Sequence, residues 1–486
     1  MADFDIVIRN GTVATAADVM RCDVGIRDGR VAALADKLPA GNREFDASHK
    51  FVLPGGIDSH CHIEQLSSSG VVCADDFYSG SVSAAFGGTT TIIPFAAQHH
   101  GQRLRDVVKN YHACAEPKAV IDYAFHLIIS DPTEQVLGQE LPALIEDGYS
   151  SFKVYMTYDL LRLDDHQMLQ VLALARRHGA LVMVHAENHD MIRWLTDRLL
   201  DGGYREPKYH AVSHPRVGEG EATHRAICLA ELVDVPILVV HVSTGEAIDE
   251  IRRAQNSGLK IYAETCPQYL FLTAADLDLP GSDGAMMCCS PPPRDEAAHA
   301  AVWRGLSNGT FQVFSSDHAP YRYDETGKLA SGPDPDFHQI ANGVPGIELR
   351  LPLLYSAGVK TGRMDLNQFV ALTATNAAKL YGIYPRKGTI AIGSDADIAI
   401  WDPDIEFTVE YQRLHDHVGY TPYTGQAIRG WPETVLSRGR VVIHDGELQV
   451  ERGSGVFLPC AKPEAARPLA KLVPEMHPEK NFGAEL

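Results

Sequence analysis

Apolar residues follow two different rhythms along this chain. In the middle, eight short runs are apolar on both faces: 52–57, 89–96, 119–129, 151–156, 180–184, 236–240, 259–263 and 311–314. Runs of that length fit parallel strands covered on both sides. Segments with helical spacing lie between them, and 164–178, 219–233 and 245–257 have the length of crossover helices. Eight strand–helix units predict an α/β fold, a (β/α)8 barrel rather than a doubly wound open sheet.

The two ends read differently. Ile6-Val7-Ile8 leads into Asn10-Gly11 and Val24-Gly25-Ile26 into Asp28-Gly29, both hairpin signals. The same texture returns at 388–402 and at 435–449, where Val441-Val442-Ile443 precedes Asp445-Gly446. Two β-rich ends around a different middle predict one small β-sandwich domain from residues 1–53 and 386–460, flanking a barrel of 54–385. Residues 461–486 are rich in Ala, Pro, Glu and Lys and read as a tail, either mobile or reaching over a neighbouring subunit.

Composition narrows the function. The chain has 486 residues, enough for a large domain plus a smaller one, with a formal net charge of -20. Binding phosphates requires a basic face, so nucleic acid is an unsuitable partner, and anionic membrane surfaces are disfavoured too. No run of 18 apolar residues predicts a membrane span. The first residues, Met1-Ala2-Asp3-Phe4-Asp5, are acidic where a signal peptide is basic. Nine cysteines without framework spacing read as reduced thiols, so a cytoplasmic location is expected.

Position, more than residue type, carries the chemical signal. His60 and His62 follow the first run, Lys153 lies inside the fourth, His185 follows the fifth, His241 the sixth and Asp317 the eighth. Barrel enzymes build their sites at the carboxyl ends of the strands. The period-two spacing of His60 and His62 points both imidazoles to one side of an extended segment, where they can share a metal. A single buried histidine is more often a satisfied core residue; four converging on one mouth ask for a metal centre. Lys153 interrupts the barrel wall in Ser151-Phe152-Lys153-Val154-Tyr155, where a bare ammonium carries a large desolvation cost. Three outcomes are open to it: a salt bridge, a Schiff-base amine, or conversion to a carbamate that bridges two metals. Asp317 reads as a metal ligand and proton shuttle, or more blandly as a helix N-cap. His318 is a candidate partner behind the ligands, and Glu187 a candidate to orient one.

Several motifs in order resemble the amidohydrolase superfamily, specifically its hydantoinase/dihydropyrimidinase branch. They are Pro54-Gly55-Gly56-Ile57-Asp58-Ser59-His60-Cys61-His62, Ala74-Asp75-Asp76-Phe77-Tyr78, Phe86-Gly87-Gly88-Thr89-Thr90, Ser151-Phe152-Lys153, His185-Ala186-Glu187-Asn188 and Ser316-Asp317-His318-Ala319-Pro320. The resemblance runs from the first strands to about residue 460. It implies two divalent metal ions, Zn2+ in the family, bridged by a carboxylated Lys153. His60, His62 and Asp317 would hold one, and His185 and His241 the other. A hydroxide between the metals would attack the ring amide, with Asp317 carrying the proton. Tyr158 resembles the tyrosine that steadies the developing oxyanion. Ser290 and Asn342 resemble the residues whose backbone holds the cyclic imide. The implied substrate is a small cyclic amide, a hydantoin or dihydropyrimidine opened to its N-carbamoyl amino acid, and the implied assembly is a homotetramer.

Departures from the family bear on the substrate. After His62 stands Ile63-Glu64-Gln65-Leu66-Ser67-Ser68-Ser69-Gly70, a more polar loop than the family's apolar stretch. Residues 94–100 and the segment carrying Tyr155, Leu160 and Leu161 are expected as further pocket walls. Dihydroorotases resemble this chain in metal chemistry but place Arg shortly after the second histidine, where Glu64 and Gln65 stand here. Another cyclic-imide or ureide hydrolase, allantoinase-like, is the alternative reading. A non-catalytic relative built as a scaffold is a third, disfavoured because every candidate ligand is present.

Overall fold

The computed structural model describes residues 2–67 and 70–484. Each of the eight apolar runs contributes a strand to a parallel barrel. In order the strands are Gly56–Asp58, Thr89–Ile92 with Phe95–Ala97, Asp122–Tyr123 with His126–Ile128, Ser151–Tyr155, Leu181–His185, Ile237–Val239, Ile261–Thr265 and Val313–Phe314. The second and third strands are each broken; their leading halves pair beside the first strand, and their trailing halves head a ladder that runs to the eighth. Hydrogen bonds bridge the breaks, since Ile93 N–H donates to Asp58 O at 2.8 Å and His126 N–H to Pro94 O at 3.0 Å. Closure between eighth and first strands uses a side chain: Ser316 N–H donates to Asp58 Oδ1 at 3.1 Å. A bridge between Cys61 and His318 follows it. A sheet closed in this way leaves no switch point, so the open doubly wound alternative is excluded.

The crossover segments fold for local reasons. Helix Asp165–His178 begins behind Asp164, whose side chain accepts from Gln167 N–H in a capping box, and ends at Gly179 with φ 73°. Its buried face, Met168, Val171, Leu172 and Ala175, has the 3–4 residue spacing of an amphipathic helix laid on a sheet. The barrel interior is filled by Ile57, Ile93, Phe95, Ile128, Leu181, Met183, Leu238 and Val313, all essentially solvent-free. Truncating any large one to Ala costs about 2–5 kcal/mol, because the strands around it cannot collapse.

Both ends of the chain build a second, β-rich layer. One sheet has four strands; the other has seven and interleaves Ile398–Thr408 and Ala427–Ser437 with Phe51–Pro54 and Thr12–Ala14. Asp28-Gly29 and Asp445-Gly446 are two-residue hairpin turns, with Arg27 opposite Arg30 and His444 opposite Glu447. Asn10-Gly11 is not. Asn10 takes the positive φ expected of a turn, 60°, but Phe4–Arg9 pairs with Asp23–Arg27 and Gly41–Asp46. The dipeptide instead carries the chain from one sheet to the other, past Val52 Cγ2, which would lie 2.4 Å from a Cβ on Gly11. The run 52–57 likewise serves both layers, through Pro54 in the sandwich and from Gly56 in the barrel. Between them Gly55 passes so close to Thr90 that a Cβ would meet its Oγ1 at 2.2 Å.

The segment after the last sandwich strand passes beneath the barrel. Leu458 N–H donates to Tyr123 O at 2.7 Å and Cys460 N–H to Gly148 O at 2.9 Å. Lys260 Nζ donates to Arg467 O at 2.9 Å, and Leu469 N–H to Asp234 Oδ1 at 3.1 Å. Residues 458–469 thus strap the amino-terminal ends of the strands of their own chain, the face opposite the candidate site. Among the described residues, no helix is long and apolar enough to cross a membrane.

Candidate active site

Strand ends bring the candidate residues together. His60 and His62 leave the first strand, Lys153 sits within the fourth, His185 ends the fifth, and His241 and Asp317 follow the sixth and eighth. The ligand atoms of His60, His241 and Asp317 lie within 4.8 Å of one another. Asp317 Oδ1 is 3.1 Å from His60 Nε2 and 3.4 Å from His62 Nε2. The His185 and His241 rings meet edge to face with centroids 4.5 Å apart. Lys153 Nζ lies 2.8 Å from His60 Nε2 and over the Phe95 ring at 4.7 Å. Phe95 also packs against His60 and His62, at 4.9 and 5.1 Å between centroids, and so floors the cluster.

Second partners fix the rings. His60 Nδ1 meets Glu264 Oε1, His62 Nδ1 donates to Gln65 Oε1 at 2.8 Å, and His185 Nε2 donates to Glu187 Oε2 at 2.8 Å. A carboxylate or amide oxygen behind an imidazole pins its tautomer and aims the other nitrogen at the shared space. The Glu187 contact is the one expected from sequence. His318 is different: its Nε2 donates to Asp75 Oδ2 at 3.0 Å, and its Nδ1 accepts from Gly346 N–H at 3.1 Å. It ties loops together and does not back the ligand cluster. Nor does Asp317 cap a helix, because the residues after it are irregular.

The cluster is poorly satisfied by the protein alone. His241 Nδ1 and Glu264 Oε2 are buried without a hydrogen-bond partner. Among the described residues, Lys153 forms no ion pair, which removes the salt-bridge reading. Burial pulls its ammonium down to about 8. Burial and the His185 charge hold His241 well below the ordinary imidazole value. Burial raises Asp317, but His60 and His62 outweigh it and leave the carboxyl well below its usual range. Imidazoles at His62, His185 and His241 whose protonation burial disfavours, a fourth at His60 that Glu264 and Asp317 favour in its charged form, an ionised carboxylate and an orphaned ring nitrogen share one dry pocket. With the His60 proton displaced, they form a donor set suited to divalent metal ions.

Backbone strain marks the same place. Tyr158, His241 and Asp317 have φ of 72°, 38° and 47°. Left-handed conformations at such residues cost about 1–3 kcal/mol each and persist where the surroundings impose them. Here they swing three candidate side chains over one cavity of about 170 Å³. Its walls include Tyr155, Tyr158, Leu161, Ser290, Asn342 and the polar pair Gln65 and Ser67. Tyr158 faces Ser290 and Asn342 across this cavity. Ser290 Oγ in turn lies 3.2 Å from His210 Nε2.

Some expected walls move. Leu160 is 53% exposed and stands outside the cavity, while Leu161 lines it. From 94–100, Phe95 is the floor of the ligand cluster, and Ala97 and His99 line a separate hollow beside Gln65 and Arg103. Ser68 and Ser69 of the polar loop lie outside the described residues.

Sequence reading missed Glu264, Gln65 as a partner of His62, the pair His210 and His214, and Lys328. Glu264 carries the signal that identified the others, a polar residue one step beyond an apolar run. Lys328 carries none, being set in an irregular loop.

A barrel with titratable groups at its strand ends, converging on a donor set fit for metal, defines a barrel metallohydrolase. The model of the amidohydrolase family matches residues 51–442, and the chain belongs to that family. Within it the likeness is to hydantoinases. The chain is 43% identical to the D-hydantoinase of Ralstonia pickettii, over 93% of this chain and 98% of that one. It is 44% identical to the D-hydantoinase of Geobacillus stearothermophilus, over 94% and 96%. Among solved structures, the dihydropyrimidinase of Brevibacillus agri superposes with a TM-score of 0.92 at 42% identity, covering 95% of this chain and 99% of that one.

Proposed function

We propose that this enzyme opens the ring amide of a hydantoin or dihydropyrimidine by adding water, giving the N-carbamoyl amino acid. Relatives named for hydantoin and dihydropyrimidine hydrolysis, matched over nearly the full chain, support cyclic-amide hydrolysis as the activity. The observation that carries the assignment of roles is Lys153, a buried lysine that forms no ion pair among the described residues and stands amid four imidazoles and Asp317.

His60, His62 and Asp317 would hold one divalent ion, and His185 with His241 a second, Zn2+ being the natural ion for this nitrogen-rich set. A carboxylated Lys153 would bridge them. In that conversion the neutral Nζ would add to the carbon of CO2, the new C–N bond replacing one C=O π bond whose electron pair moves to oxygen, and one N–H proton would leave to solvent. When bound, such a metal pair lowers the pKa of water and polarises the amide carbonyl. The remaining work falls to side chains. Asp317, held as a carboxylate, takes the proton from the attacking water and returns it to the ring nitrogen as the C–N bond breaks. The Tyr158 hydroxyl, which burial keeps protonated by raising its pKa, donates to the oxygen on which charge develops. Ser290 and Asn342 hold the far edge of the ring by their backbone groups.

The substituent outside the ring faces Gln65 and Ser67, beside Leu161 and Tyr155. That mixed wall favours a small or polar substituent over a bulky aryl one. We assign catalysis to the barrel of 54–385, with 1–53 and 386–460 as the sandwich unit, in a cytoplasmic homotetramer. Light scattering after size exclusion tests the tetramer.

Metal analysis combined with a substrate panel tests the reaction. About two zinc-like ions per chain are expected, with turnover of hydantoin, dihydrouracil or small 5-alkyl hydantoins that chelation abolishes. A folded, metal-free preparation inactive on every ring of the panel sinks the proposal.

A further inference from the structure

Behind the cavity wall lies another buried lysine, outside the metal cluster. Lys328 is fully buried, and its Nζ donates to three backbone carbonyls: Cys288 O at 2.7 Å, Ala341 O at 2.7 Å and Gly343 O at 2.6 Å. No carboxylate among the described residues pairs with it. Three acceptors around one nitrogen require three N–H donors, which only the ammonium possesses. Burial pulls its pKa down to about 8, which still leaves the charged form in the majority at neutral pH. The charge is therefore balanced by carbonyl dipoles from two separate stretches of chain.

Those stretches are the ones that carry Ser290 and Asn342. Gly343 N–H also donates to Cys288 O at 2.9 Å, so the two loops join at Lys328. In a planar trans peptide, C=O and N–H point opposite ways. The Ala341 carbonyl turned toward Lys328 therefore turns the Asn342 N–H away from it, and Asn342 lines the cavity. A cation on the carbonyl side also polarises that peptide unit and strengthens its N–H as a donor.

We propose that Lys328 is the positioning residue for the ring-holding backbone, clamping the 288–290 and 341–343 segments at the separation and orientation the cyclic amide needs. This rests on the reading that Ser290 and Asn342 hold the ring. Lys328 touches neither the ring nor the ligand cluster, so its effect passes through the loops.

Lys328→Met tests it, because methionine keeps the length and loses both charge and donors. In holoenzyme of wild-type metal content, KM for the best ring substrate is expected to rise about tenfold or more while kcat stays within about threefold, since contacts made equally in ground and transition states appear in KM. The rise in melting temperature produced by saturating hydantoin is expected to shrink in parallel. Lys328→Gln, which keeps two donors, should fall between. Unchanged KM and an unchanged melting shift in a folded variant overturn the proposal. Loss of metal, or a fall in kcat alone, also overturns it by assigning Lys328 to the centre itself. Failure of both variants to fold overturns it in favour of a purely structural staple. Should the wild type open no cyclic amide, the reaction assignment fails instead, and the hydantoin melting shift still reports on the clamp.

Discussion

Lys153 in the barrel mouth and Lys387 beneath the barrel are equally buried, at about 1% exposure, and the protein treats them in opposite ways. Lys387 joins barrel and sandwich through Asp122 at 2.7 Å, Asp395 at 3.2 Å and Asp397. Arg438 shares Asp122 at 3.0 Å. Burial lowers the Lys387 pKa, but Asp397 and Asp122 outweigh it, and the ammonium is held above its ordinary value. Among the described residues Lys153 has no carboxylate in ion-pair range, and burial wins. A buried charge that is matched stabilises a junction; one left unmatched costs stability and stays open to chemistry. The same contrast extends outward, from the orphaned His241 Nδ1 and the strained Asp317 at the mouth to the paired groups of the junction. Lys328 lies between these extremes, charged but matched by dipoles alone.

Four substitutions separate the two regions. The largest loss of turnover is expected from Lys153→Ala, on the order of ten-thousandfold or more, with bound metal falling and the fold retained. Compared as metal-free proteins, the variant should melt at the same temperature as the wild type or higher, since an unmatched ammonium is removed. Strong turnover by this variant, without an added short carboxylic acid to stand in, contradicts the bridge. Asp317→Asn should cut kcat by roughly a thousandfold while much of the metal remains, as metal analysis beside steady-state kinetics would report. An unchanged kcat removes Asp317 from the proton path. Tyr158→Phe loses one donor to the developing oxyanion, and kcat should fall about a hundredfold with metal content intact. A change confined to KM would make Tyr158 a binding residue only.

Lys387→Met should leave kcat within about twofold and act on stability instead, by about 3–5 kcal/mol in denaturant unfolding, because it strands buried carboxylates. The pH dependence carries a sign. A lysine whose folded pKa is raised contributes fully below its unfolded value and loses that contribution only as pH climbs through the folded one. The loss from Lys387→Met should therefore be equal at pH 6 and pH 8. A penalty that varies across that range would mean the junction titrates otherwise, and the contrast with Lys153 would weaken.

Legibility in the sequence was uneven for physical reasons. Strands covered on both faces must be apolar throughout, so all eight barrel runs could be read. Asp28-Gly29 and Asp445-Gly446 follow from backbone preferences that act over two residues. Asn10-Gly11 obeys the same local rule, yet the partner strand is chosen by the sheets, which no local signal encodes. Among site residues, those at run ends were visible by position. Gln65 and Lys328 were not, since each matters through what it faces across the fold: an imidazole ring in one case and three carbonyls in the other.

By itself, then, the sequence determined the strand–helix alternation and the candidate groups proposed to hold metal and move a proton, because burial and residue chemistry are written locally. Tertiary structure decided which groups are matched. Closure through Ser316 and Asp58, the positive φ at Asp317 and His241, and the different surroundings of Lys153, Lys328 and Lys387 arise only when distant segments meet. Whether a buried charge is stabilised or left open to reaction depends on those long-range neighbours.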